Sequence, residues 1–223
     1  MGKTITLTAK DGHKLGAYVA EPQGKAKAAL VVVQEIFGVN NHMRRVADNF
    51  ASEGYLAVTP ALFDRVRPGI EIGYTPEDVE NGRNIRAEVK LDDTLQDLQA
   101  AIDEAKKSGL KVGIVGYCWG GGLAFIAAAR LPGLSAAVGY YGGLVAAHAD
   151  EMPKVPVILH FGEQDHSIPM SDVEKVKKAH PEMTIFTYKS GHGFNCDERG
   201  SYDAADAKLA LDRTLRFFDD KLR

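Results

Sequence analysis

The chain has 223 residues, 45% of them hydrophobic and 26% charged, enough to enclose one core and too apolar for a disordered chain. A net charge of −3, with basic residues scattered as in Lys25/Lys27, Arg44/Arg45 and Lys175/Lys177/Lys178, gives no electrostatic case for nucleic acid. Two cysteines, Cys118 and Cys196, do not make a disulfide framework, and no apolar run nears the ~18 residues of a membrane span.

The opening MGKTITLTAKDGHKL has no apolar h-region, so a cytoplasmic protein is expected rather than a secreted one. Gly2 and Thr6 fit the spacing of a myristoylation signal, but the polar–apolar alternation from Thr4 to Thr8 reads better as an edge strand. Residues Ile5 to Ala9 and Gly16 to Ala20 predict a hairpin around Lys10-Asp11-Gly12. Ala28 to Gln34 is a continuous β-branched run, which predicts a strand buried on both faces. A helix over His42 to Ser52, a short strand over Tyr55 to Thr59 and an irregular stretch from Ala61 to Thr75 follow. Pro76-Glu77-Asp78 opens a helix with an acidic first turn, and Leu91 to Lys107 is amphipathic. Lys111 to Tyr117 predicts a buried strand leading into a helix over Trp119 to Arg130. Strands over Ala136 to Tyr140, Val155 to Phe161 and Thr184 to Tyr188 alternate with a helix over Met170 to Ala179. A helix from Ser201 to Leu222 ends the chain, with Leu211, Leu215, Phe218 and Leu222 on one stripe. This alternation predicts an α/β fold: a mainly parallel central sheet with helices on both faces, spanning residues 1–223 as one domain. Ligands of such sheets bind beyond the carboxyl ends of the strands, so chemistry is sought in the residues just after each one.

Gly116-Tyr117-Cys118-Trp119-Gly120 sits between a strand and a helix and matches the nucleophile-elbow pattern G-x-S-x-G, with cysteine for serine. The turn is so tight that side chains two positions either side of Cys118 would collide, hence the glycines. A helix N-terminus beneath the sulfur favours thiolate, and the Trp119 N–H is placed as an oxyanion donor. Of the seven histidines, His192 follows a strand and is flanked by glycines, so it is the expected base. His160 falls inside a strand, and His42 and His180 on or beside helices; these read as packing or surface residues. After the strand ending at Phe161 comes Gly162-Glu163-Gln164-Asp165-His166, where Asp165 is the expected partner of the imidazole, Glu163 its competitor and His166 a neighbour without a part. The second oxyanion donor should be the N–H of Ile36, in Gln34-Glu35-Ile36-Phe37-Gly38. No Walker A, H-E-x-x-H or paired C-x-x-C sequence is present, so neither a cofactor nor a metal is expected.

The segments Gln34–Asn40, Gly116–Gly121, Gly139–Gly142, Gly162–His166 and Gly191–Phe194 together resemble the dienelactone hydrolase (carboxymethylenebutenolidase) family, from about Leu15 to the C-terminus. The resemblance implies the α/β-hydrolase fold and cleavage of a small ester or lactone without a cofactor, by Cys118, His192 and Asp165. It implies that Glu35 contacts the resting thiol and takes up its proton when substrate arrives. It points to Arg83, Arg86, Phe37 and Tyr141 as candidate substrate contacts. The chain departs from the family pattern where a carboxylate-binding arginine is expected four residues after the histidine: Cys196 stands there, and Arg199 lies three residues on. A monomer or weak homo-oligomer is expected. Two other readings stay open: a binding or sensing protein on the same scaffold, and a thiol redox role for Cys118 with Cys196.

Overall fold

The computed structural model describes residues 2–223. Eight strands form one sheet in the order β1-β2-β4-β3-β5-β6-β7-β8. They are β1 (Lys3–Thr8), β2 (Lys14–Ala20), β3 (Ala28–Val33), β4 (Tyr55–Pro60), β5 (Val112–Tyr117), β6 (Ala136–Tyr140), β7 (Val157–Gly162) and β8 (Thr184–Tyr188). The hairpin β1–β2 and the pair β2–β4 are antiparallel, and every other pairing is parallel. Among the described residues six α-helices connect or close these strands: α1 (Asn41–Ser52), α2 (Pro76–Glu88), α3 (Leu91–Lys106), α4 (Trp119–Arg130), α5 (Met170–Ala179) and α6 (Ala204–Lys221). This is the α/β-hydrolase fold.

The central strands β3 and β5 are buried along their whole length, as their unbroken apolar runs require. The helix boundaries have local causes. The Asn40 side chain caps α1 through the Met43 N–H, and Thr75 and Asp78 form a reciprocal capping box at α2 with Pro76 at the first helical position. The last helix begins at Ala204 rather than Ser201, because Asp203 is its cap and accepts from the Asp206 N–H. The stretch expected to be irregular contains one 3-10 turn, Leu62–Arg65, and a bridge between Gly38 and Glu71. The threonine-rich opening is the edge strand β1, and the Gly2 N–H donates to the Tyr18 hydroxyl.

The strand order turns around at β3: β4 lies on one side of it and β5 on the other. Ligand sites of parallel sheets form at such reversals, outside the carboxyl ends. Glu35 leaves the end of β3 and Cys118 the end of β5 at this point. Their approach demands glycine. A Cβ on Gly116 would lie 1.9 Å from the Gly120 carbonyl oxygen, and one on Gly120 would lie 2.5 Å from the carbonyl oxygens of Val33 and Gln34. Backbone atoms cannot yield to such contacts, so Gly120→Ala is expected to destabilise the fold by about 1–3 kcal/mol or more. A lowered midpoint in chemical denaturation checks this; an unchanged midpoint would mean that α4 is not seated on β3 as described.

Candidate active site

Cys118 occupies the turn between β5 and α4 with φ 54° and ψ −117°. That left-handed conformation costs a non-glycine residue roughly 1–3 kcal/mol and has to be held by its surroundings. The Cys118 N–H donates to the Tyr140 carbonyl at 3.0 Å, and its own carbonyl accepts from Gly121 and Gly122. The result is a sulfur lifted off the sheet onto the floor of a surface cavity.

Two further loops meet it there. His192 Nε2 is 3.1 Å from Cys118 Sγ, and His192 Nδ1 is 2.7 Å from Asp165 Oδ2. The other carboxylate oxygen of Asp165 accepts from the backbone N–H groups of Ser167 and Ile168 at 2.8 and 3.1 Å, so the carboxylate cannot rotate away. The histidine loop is tied by the Ser201 hydroxyl, which donates to the His192 carbonyl at 2.6 Å. Of the two acids considered for this place, Asp165 contacts the imidazole, whereas Glu163 is turned to the Thr187 hydroxyl. Burial pulls the His192 imidazole toward neutrality, but the adjacent sulfur and the Asp165 carboxylate outweigh it and raise the pKa to about 10.

The other histidines lie elsewhere. His160 is buried between the Tyr188 and Thr214 hydroxyls, and burial lowers it to about 3, so it is a neutral packing residue. His180 is packed edge-on against Phe125. His42 is buried on α1, with Nδ1 2.9 Å from Asp197 Oδ1.

The cavity in front of Cys118 has a volume of about 430 Å³. Ile36 and Trp119 flank the sulfur on its wall, and among the described residues neither backbone N–H is engaged by another protein group. Both are therefore free to receive an oxyanion. Arg83, Arg86 and Arg199 also line it. Among the described residues Arg83 and Arg86 have no carboxylate partner, whereas Arg199 Nη1 lies 3.3 Å from Glu35 Oε1. The helix α2 can come this close because it meets the Ile36 carbonyl at Gly82, where a Cβ would be 2.3 Å from that oxygen.

Three expectations need correction. Phe37 and Tyr141 are not on the cavity wall. The chain turns at Ile36, which faces the cavity and sends Phe37 inward, against Tyr74 and beneath the Arg199 guanidinium. Tyr141 is fully buried, with φ 37°, and its ring backs the His192 ring at 5.1 Å. Glu35 does not touch the Cys118 thiol, because the Arg199 guanidinium is a stronger partner for its carboxylate than a thiol would be. Cys196 is a free thiol, fully buried and pushed up to about 12 by burial and by Glu35, so it is no reactive partner for Cys118. The sequence reading missed Val79, Leu144 and Ile168, which supply the apolar part of the wall. Val79, Arg83 and Arg86 follow i, i+4, i+7 spacing on one face of α2, a signal present in the sequence.

Comparison with known proteins gives the family. Residues 15–222 match the model of the dienelactone hydrolase family. A carboxymethylenebutenolidase of Pseudomonas putida is 36% identical over 225 residues, covering 96% of this chain and 94% of that one. A crystal structure from Klebsiella pneumoniae that carries the dienelactone hydrolase name superposes with a TM-score of 0.86 at 31% identity, over 98% of this chain and 99% of the other. A dienelactone hydrolase-like promiscuous phosphotriesterase from metagenomic libraries shares the fold, with a TM-score of 0.79 at 18% identity. This chain is a hydrolase and belongs to the dienelactone hydrolase family.

Proposed function

We propose that the chain hydrolyses a small lactone or ester bearing a carboxylate, with Cys118 as nucleophile, His192 as acid and base, and Asp165 as the residue that orients and charges His192. The observation that carries this reading is the pair of short contacts on one imidazole, 3.1 Å to the Cys118 sulfur and 2.7 Å to the Asp165 carboxylate. A thiolate beside an imidazolium attacks the carbonyl carbon, and the carbonyl oxygen gathers negative charge between the N–H groups of Ile36 and Trp119. One such donor contributes about 3–4 kcal/mol to the transition state. The ring oxygen, or the alcohol of an ester, leaves with the proton of His192, giving a thioester. Neutral His192 then takes a proton from water, whose oxygen attacks the thioester, and the acid product departs as the thiolate–imidazolium pair re-forms.

The substrate class follows from charge. Arg83 and Arg86 line the cavity without acidic partners among the described residues, and Arg199 offers a guanidinium held by Glu35. A carboxylate among these cations would fix the ring against the sulfur. Glu35 has a positioning part here, aiming Arg199 across the Phe37 ring.

Cys118→Ala should abolish hydrolysis of p-nitrophenyl acetate; turnover at the wild-type rate would remove Cys118 from the mechanism. Replacing Arg83 and Arg86 together by Ala should raise KM for a carboxylate-bearing lactone by about tenfold or more, while a neutral aryl ester keeps its KM. Equal effects on both substrates would deny the arginines a role in anion binding. Since His192 is held up to about 10, kcat/KM for a phenyl ester should stay level through neutral pH and fall as pH passes about 10 and the imidazolium loses its proton. A carboxylate stabilises the cationic ring, so Asp165→Asn should move that alkaline limb to lower pH. A limb that stays in place would show that Asp165 does not govern the histidine.

A further inference from the structure

Behind the cavity, three side chains from separate parts of the chain converge in the interior. Glu35 comes from the loop after β3, His42 from α1, and Cys196 from the loop that carries His192. A carboxylate oxygen, an imidazole nitrogen and the sulfur lie within 4.8 Å of one another, and all three residues are buried. Two of the polar groups are only half used. Glu35 Oε1 faces Arg199, but Oε2 is buried with no partner among the described residues. His42 Nδ1 faces Asp197, but Nε2 is likewise buried and unpartnered. A buried polar atom left unsatisfied is costly, and here two of them belong to residues of one cluster.

We propose that Glu35, His42 and Cys196 form a binding site for a divalent transition-metal ion of the zinc class. An oxygen, a nitrogen and a sulfur donor are the three ligand types that zinc takes, whereas calcium and magnesium call for oxygen alone. Charge balances as well: a dication with one carboxylate, one thiolate and one neutral imidazole sums to zero. The ion itself displaces the thiol proton. The Asp197 carboxylate accepts from Nδ1, which fixes the tautomer that leaves Nε2 unprotonated and able to ligate. Asp197 is in turn fixed by the Arg45 guanidinium at 3.0 Å. Bonds of about 2.0–2.3 Å place tetrahedral ligand atoms roughly 3.5 Å apart, so side-chain shifts of about an ångström close the cluster. Arg199, on the opposite carboxylate oxygen, opposes the cation and lowers the affinity below that of an all-cysteine site. A bound ion would staple the loop carrying the Ile36 N–H to the loop carrying His192. No ligand motif announces the site, because its donors are scattered along the sequence.

The test is a Co²⁺ titration of the purified full chain after treatment with a chelator. Cys118 and His192 are a rival sulfur–nitrogen pair, so Cys118→Ser and Cys196→Ser are titrated alongside. The expected result is one equivalent of Co²⁺ with thiolate-to-cobalt absorption in the near ultraviolet, displaced by Zn²⁺. The signal should persist in Cys118→Ser and vanish in Cys196→Ser. Asp197→Asn, a change at an exposed side chain, should weaken binding by about 10- to 100-fold, which gives a second readout if Cys196→Ser does not fold. Absorption that follows Cys118, an affinity indifferent to Asp197→Asn, or no binding of Co²⁺ or Zn²⁺ at micromolar concentration would each overturn the proposal. Spectrum and stoichiometry are read without substrate, so failure here leaves the hydrolytic reading standing.

Discussion

The site depends on one backbone contact, the seating of the first turn of α4 against the end of β3. Gly120 lies so close to the carbonyls of Val33 and Gln34 that no side chain could stand there. This contact, with that of Gly116 against Gly120, holds Cys118 in a left-handed conformation that an isolated turn would leave. Trp119 and Ile36, which follow closely on the two sides of this contact, both line the cavity. The position of the sulfur and the position of these two wall residues are thus one constraint. A loosened α4 would lose both together.

Around that fixed centre the charges are arranged in two layers. On the cavity side stand cations: the His192 ring, held positive by its neighbours, and the guanidiniums of Arg83, Arg86 and Arg199. Behind them lie Asp165 and Glu35, each with one oxygen turned to a cation of the front layer. A buried carboxylate is stable only with such partners. The layering leaves the open face positive although the chain as a whole carries a net charge of −3. Local arrangement, not total charge, decides which ligand is drawn in.

Much of this was legible in the sequence, for identifiable reasons. The buried strands announce themselves by runs such as Ala28 to Val33, and the elbow by glycines whose spacing only a tight turn requires. His192 and Asp165 could be named because order along the chain and position after a strand restrict the choice. What the sequence hid was direction. Nothing in Ile36-Phe37 says which side chain faces the cavity; that depends on a turn set by distant contacts with Ile70 and Ile72. Tyr141 was misplaced for the same reason. The partner of Glu35 was concealed because Arg199 reaches it from the far end of the chain, and ion pairs of that kind leave no periodic trace.

Gly82 is where α2 meets the loop bearing Ile36, and the same helix brings Arg83 and Arg86 to the cavity wall. The elbow, the histidine loop and the aspartate loop draw nothing from it. Two of the three arginines on the cavity wall therefore come from a different piece of chain than Cys118, His192 and Asp165. Changes on the cavity face of this one helix would reshape that part of the wall without touching Cys118, His192 or Asp165. A glycine at its pivot is the condition under which such changes keep the docking distance.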